Sequence, residues 1–158
     1  MQQAHDYLAE VDELSNLLRD QLESIFFKKT LFKSWTVNDV IGHLYMFDLA
    51  ALKSLQNEDE FAKIYSNVSS HLNQGMSLLE SQYPFLNELS GKNLFERWYG
   101  NSRRLGAAFA HADPRVRLKW FGPEMSAKSS ITARQMETWA HGQEIFDALG
   151  VKRTAHDR

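Results

Sequence analysis

Apolar residues recur at three- and four-residue steps along most of this chain, with charged residues between them, the period of amphipathic helices. From Gln3 to Phe27 the apolar positions Tyr7, Leu8, Val11, Leu14, Leu18, Leu22 and Ile25 predict a first helix. After the polar break Lys28-Lys29-Thr30, Thr36 with Asp39 three positions on resembles a capping box, with aspartate where glutamate or glutamine is usual. A second helix is therefore predicted from Val37 to Leu55. A third helical region spans Phe61 to Glu88, interrupted by Gly75 and Pro84. Gly91 breaks the pattern, and Asn93 is a candidate cap for a fourth helix running through Leu94, Trp98, Leu105 and Phe109 to Ala112, where Asp113-Pro114 stops it. The alternation Val116-Arg117-Leu118-Lys119-Trp120, followed by Phe121-Gly122-Pro123, predicts a short extended segment and a turn. Ser129 or Ser130 offers the cap of a last helix that ends at Leu149, before Gly150. Five helical segments with almost no strand signal predict an all-α fold, an up-down four-helix bundle with an additional or broken helix.

Composition narrows the class. The 158 residues fit one domain, 1–158, large enough to bury a core without a staple. A formal net charge of −2, with no block of like charge, gives no reason to expect nucleic acid or an anionic membrane as partner. The absence of cysteine excludes a disulfide framework, a zinc-thiolate site and a nucleophilic thiol of the chain's own. The amino terminus lacks the basic start and apolar run of a signal peptide, and no stretch approaches membrane-spanning length, so a cytoplasmic location is expected.

The candidate chemistry lies on two helices. On the last one, Arg134, Glu137, His141 and Glu144 follow steps of three, four and three and share a ridge. On the second, His43 stands in a row with Val40, Phe47 and Ala50, where an ordinary helix would carry an aliphatic residue. If the two helices pack side by side, His43, Glu137 and His141 form a metal site. Two imidazoles and a carboxylate suit zinc or another late first-row divalent ion, nickel included, with coordination positions left for a reactant. The plainer readings are a buried neutral histidine at 43 and a solvated polar face at 137 and 141. Arg134 is expected to hold the Glu137 carboxylate or to receive an anionic substrate, unless it is an ordinary surface arginine. Asp39 either orients His43 or caps its helix. Gly142 suits a close helix approach. His5, His71, His111 and His156 have no partner at ligand spacing and are expected at the surface.

The run from Trp120 to Ser126, followed by Thr132-Ala-Arg-Gln-Met-Glu-Thr-Trp-Ala-His-Gly-Gln-Glu-Ile-Phe-Asp-Ala-Leu-Gly150, resembles the last helix of the DinB-like superfamily. The match is to the branch of the mycothiol-dependent maleylpyruvate isomerase N-terminal domain. The stretch from Trp35 to Asp48, with Val40-Ile41-Gly42-His43-Leu44, is similar to that branch's second helix. The resemblance implies a four-helix bundle holding a divalent metal, commonly zinc, with ligands at His43, Glu137 and His141. Other members often use three histidines, so glutamate at 137 favours the isomerase-like branch. The resemblance further implies a low-molecular-weight thiol cosubstrate, such as mycothiol or bacillithiol, and transfer or isomerisation of a small electrophilic substrate. It also implies a homodimer as one assembly, and a smaller second domain following the Asp-Ala-Leu-Gly segment in longer members. Two competing readings use the same fold: a metal-dependent hydrolase, and a non-catalytic module for ligand binding or dimerisation. An open cleft at the three residues would favour the enzyme, whereas cover by Trp98, Trp120 or Trp139 would favour the module.

Overall fold

A computed structural model describes residues 1–157 as six α-helices and one small hairpin. The helices are α1 (Gln2–Leu18), α2 (Val37–Gln56), α3 (Glu58–Asn73), α4 (Leu78–Leu86), α5 (Gly91–His111) and α6 (Ala127–Leu149). A 3-10 turn, Glu23–Phe27, follows α1, and strands β1 (Arg117–Leu118) and β2 (Met125–Ser126) pair antiparallel before α6. The all-α bundle expected from the sequence is the fold. Its four long helices, α1, α2, α5 and α6, surround the core, while α3 and α4 pack outside against α2. Both α1 and α2 lie against α5 and α6, so the first two long helices face each other across the bundle. None of the helices among the described residues is long and apolar enough to cross a membrane.

Boundaries differ from the pattern where tertiary contacts decide them. The first helix stops at Leu18 rather than Phe27, and Leu22 is extended and 73% exposed despite its helical spacing. The 3-10 turn instead rotates Phe26 into the core against Phe95, with ring centroids 6.0 Å apart. The third region is two helices, divided at Gly75, whose φ of +87° suits a residue without a Cβ. Ser77 and Glu80 then form a full capping box for α4. Pro84 is accommodated near the end of this short helix, and Asn87 closes it in the left-handed region. Ser90, not Asn93, occupies the cap position of α5, and the first donors there find acceptors far away in sequence. The Gly91 N–H donates to Asn38 Oδ1 at 2.7 Å, and the Lys92 N–H to the Glu23 carboxylate. A Cβ on Gly91 would lie on top of that carboxylate. Ser126, rather than Ser129 or Ser130, caps α6, because the hairpin delivers its Oγ to the Ser129 N–H at 3.1 Å. The close helix approach suggested for Gly142 occurs instead at Gly106, where a Cβ would run into the Leu8 side chain.

At the centre of the bundle sits a carboxylate. Asp48 of α2 is fully buried and stands in the stripe Ile41, Leu44, Ala51 and Leu52. Its Oδ2 accepts from Tyr7 Oη of α1 at 2.8 Å, and from Trp98 Nε1 and Ser102 Oγ of α5, each at 3.1 Å. Its Oδ1 accepts from Arg134 Nε of α6 at 2.8 Å. One side chain thus joins all four long helices. Burying this ion pair is costly unless every lone pair is used, and here the carboxylate accepts four donors.

Asp48→Ala leaves the Arg134 guanidinium buried without its counter-charge and is expected to lower stability by about 3–5 kcal/mol, read in urea unfolding. Tyr7→Phe loses one hydrogen bond and is expected to cost about 1 kcal/mol. Burial, and then the Asp48 charge, hold the Tyr7 hydroxyl well above its ordinary pKa of 10.0. The unfolded chain therefore gives up this proton first. The stability tied to it is complete below the ordinary value and is lost as pH climbs toward the folded value. The alkaline fall in stability should be shallower in Tyr7→Phe than in the wild type, and identical alkaline limbs would exclude Tyr7 as its source.

Candidate metal centre

The local sequence fixes where α2 begins and so where His43 points. Thr36 Oγ1 accepts from the Asp39 N–H at 3.1 Å, while Asp39 Oδ2 accepts from the Thr36 N–H at 2.9 Å. Thr36 is the N-cap, then, Asp39 completes the capping box, and its other oxygen accepts from the Tyr83 hydroxyl at 3.2 Å. Two turns into the helix His43 is 7% exposed, flanked by the buried Val40 and Ala50 and the half-buried Phe47. The α6 ridge brings Glu137 and His141 to the same place. His43 Nε2 and His141 Nε2 each lie 3.3 Å from the same oxygen, Glu137 Oε2. Donor atoms of all three residues lie within 4.8 Å of one another, the only such metal-capable group of three or more among the described residues.

Aromatic rings frame the imidazoles. Trp35 meets His43 edge-on with centroids 5.6 Å apart, and Phe32 meets His141 edge-on at 5.2 Å. Phe47 packs on the other side of His43 at 4.8 Å. Phe32 and Trp35 belong to a tight loop closed by hydrogen bonds from the Thr30 N–H to Trp35 O and from the Trp35 N–H to Phe32 O. The three residues open into a cavity of about 300 Å³ walled by Phe32, Trp35, Leu78 and Leu79. Glu137 is the most accessible member, with 44% of its side chain exposed. None of the three tryptophans weighed as covers closes the site. Trp98 is buried on Asp48, Trp120 packs on Phe47 and Phe61, and Trp139 is 55% exposed.

Charge is set for cation binding. Hydrogen bonds from His141, and then from His43, hold the Glu137 carboxyl well below the usual carboxylate range, against the opposing effect of its partial burial. Burial pushes His43 down, partly offset by its bond to Glu137. An anionic carboxylate and a neutral imidazole are the ionisation states that a metal ligand requires. The Nδ1 atom of His43 is buried without a partner, so the ring is oriented by aromatic packing rather than by a hydrogen bond behind it.

Arg134 is 3% exposed and not a surface residue. Its Nε is committed to Asp48, its guanidinium lies 5.8 Å from the Phe47 ring centroid, and it does not line the cavity. Its charge reaches Glu137 through space and contributes to the low carboxyl pKa. Among the other histidines, His5, His111 and His156 are exposed and His71 is half-buried, all outside the cluster. Sequence reading passed over Asp48 and Trp35. The signal for Asp48 was available, since a carboxylate in the middle of an apolar stripe is as anomalous as the histidine at 43.

Residues 7–146 match the family described as the mycothiol maleylpyruvate isomerase N-terminal domain. Two curated relatives are uncharacterized proteins of Mycobacterium tuberculosis, from strains CDC 1551 / Oshkosh and ATCC 25618 / H37Rv. Each is 34% identical over 153 residues, which cover 97% of this chain and 58% of the relative. No solved structure matches the chain. With a match that spans most of its length, the chain belongs to the mycothiol maleylpyruvate isomerase N-terminal domain family, within the DinB-like superfamily.

Proposed function

We propose that this chain holds a divalent metal ion on His43, Glu137 and His141 and serves a thiol-dependent transferase or isomerase reaction on a small electrophilic substrate. The observation that carries this reading is the convergence of two imidazole nitrogens on one carboxylate oxygen at the edge of an open cavity. The donor set fits zinc first and nickel or a similar ion next, with positions left for a reactant. A bound ion would supply Lewis acidity that lowers the pKa of an incoming thiol, so that the thiolate is available at neutral pH. With no cysteine in the chain, the thiol comes from solution, a low-molecular-weight cosubstrate of the kind that the family's description names.

The chain's own residues bind, orient and exclude water. Phe32 and Trp35 hold the His141 and His43 rings and shield them from solvent on one side. Glu137 stays ionised through both histidines, and Arg134, fixed by Asp48, supports that ionisation from behind without touching reactants. Addition of the thiolate to an electrophilic carbon of a conjugated double bond breaks the π bond, moves its electron pair onto the activating carbonyl, and gives a conjugate on taking up a proton from solvent. Rotation in that adduct followed by loss of the thiol gives an isomer. Among the described residues, the cavity lining offers no further carboxylate or imidazole to act as a general base for hydrolysis. Because the chain spans 58% of the length of its curated relatives, the activity of a longer protein could use surfaces outside this domain.

Elemental analysis of purified, tag-free protein is expected to find about one divalent ion per chain, lost in both His43→Ala and Glu137→Ala. Helical content should be unchanged in both variants, because neither residue belongs to the Asp48 network. Protein that carries no ion and takes none up from zinc or nickel solutions would end the metal reading. Asp48→Asn is expected to weaken metal retention about tenfold, since it removes the counter-charge of Arg134 and loosens the register between α2 and α6 that brings the three residues together.

A further inference from the structure

One charge at the cavity is not used by the metal centre. Lys33 lines the cavity beside Phe32 and Trp35, and it takes part in none of the ion pairs formed among the described residues. Its ammonium lies over the Phe32 ring, 5.3 Å from the centroid, and that same ring meets the imidazole of His141. The cation therefore stands above the wall that leads down to the proposed ligands. Its backbone is unusual as well: Lys33 and Ser34 follow one another in the left-handed region at φ +49° and +60°, and neither is glycine. Consecutive non-glycine residues in that region are disfavoured, and such conformations persist where the surroundings over-determine them, often at ligand clamps. Here the Thr30 to Trp35 hydrogen bonds enforce the turn, which lifts Lys33 to the cavity mouth.

The same cavity is also lined by Ser77, Leu78 and Leu79 at the start of α4. The N–H groups of Leu78 and Leu79 belong to the first helical turn and have no intrahelical acceptor. Glu80 is turned back on Ser77, accepting from its N–H and hydroxyl at 2.8 Å, so its charge partly offsets the helix end while leaving those two donors free. Apart from the three proposed ligands, the rest of the lining is aromatic, Phe32 and Trp35. Arg134, the other cation near the site, is buried on Asp48 and cannot meet a reactant without breaking the central ion pair.

We propose that Lys33 is the specificity-determining residue of this site, selecting a reactant with an anionic head, a carboxylate in the first instance, on a short apolar body. The anion sits between the Lys33 ammonium and the start of α4, and the apolar body lies along Phe32, Trp35 and Leu78. The reactants' identity rests on the metal-and-thiol reading, while the anion contact itself is made by the chain. The carboxylate could belong to the thiol or to the electrophile, and matched probes separate the two.

The test titrates zinc-supplemented wild type, Lys33→Gln and Lys33→Arg with two isosteric pairs, crotonate against crotonamide and 3-mercaptopropionate against 3-mercaptopropionamide. Backbone amide shifts give the affinities, and zinc content is measured on the same samples. In the wild type the anionic member of at least one pair should bind about three- to tenfold tighter, with shifts at Lys33, Leu78 and Leu79. The preference should vanish in Lys33→Gln, survive in Lys33→Arg and shrink as salt is added. A preference confined to the thiol pair places the carboxylate on the thiol, and one confined to the crotonate pair places it on the electrophile. Equal affinities within both pairs in the wild type, or a preference that persists in Lys33→Gln, would overturn the proposal. Samples that take up no zinc would defeat the metal reading alone, because the crotonate pair reports on Lys33 without it.

Discussion

The bundle is organised around a buried ion pair. Asp48 and Arg134 have side-chain exposures of 0% and 4%, and in such surroundings a lone charge would be prohibitive. The pair persists because Tyr7, Trp98 and Ser102 supply the other donors, so the carboxylate is satisfied by one residue or more from each of the other three long helices. An apolar core would hold these helices together through many interchangeable contacts. A single acceptor with fixed donors permits far fewer arrangements, which fixes the helices' rotation as well as their proximity. The proposed site inherits that constraint. Glu137 and His141 lie one and two turns beyond Arg134 on α6, and His43 lies just over one turn before Asp48 on α2, so the pair sets the register between the two ligand-bearing helices.

A second layer of order comes from rings. In many metal sites the ligand histidine donates its far N–H to a carboxylate or a carbonyl. His43 has no partner on Nδ1, and Trp35 and Phe47 press on its ring instead. Aromatic packing thus sets the position of the ring, and its polar contact is the one that Nε2 makes with the Glu137 carboxylate. Orientation by packing also links the site to the Thr30 to Trp35 loop, whose Phe32 and Trp35 both touch imidazoles.

Much of this was legible in the sequence, for a physical reason. Helical periodicity and the Thr36 to Asp39 capping box are local, so α2 and His43 fall where the pattern places them, and the four-residue step puts Glu137 and His141 on one face whatever the rest of the chain does. Most of the misplaced features depend on partners distant in sequence. Leu22 keeps the helical spacing, yet the core needs Phe26, and the chain turns to deliver it. Asn93 is a better cap than Ser90 by residue type, but Asn38 and Glu23 supply the acceptors at the start of α5 and make a local cap unnecessary. Arg134 resembled a ligand-facing or surface residue because its partner, Asp48, lies 86 residues away. The left-handed pair at Lys33 and Ser34 has no sequence signature at all, since neither residue favours that region and only the closed loop enforces it.

The choice of glutamate rather than a third histidine at 137 carries an electrostatic consequence. Three imidazoles would leave a bound divalent ion with its full double charge, whereas one carboxylate removes half of it and leaves a single positive charge facing the cavity. A thiolate entering such a site would bring the centre to neutrality and end its attraction for a second anion. Selection of another charged group would then have to come from the cavity wall, at a distance that water and salt screen only in part. Among the described residues Lys33 is the cation that lines that wall, its ammonium over the same Phe32 ring that meets the His141 imidazole. Under the proposed reading the labour divides accordingly: the three ligands would set the ionisation of the group that reacts, and the loop carrying Lys33 would select which molecule bears it.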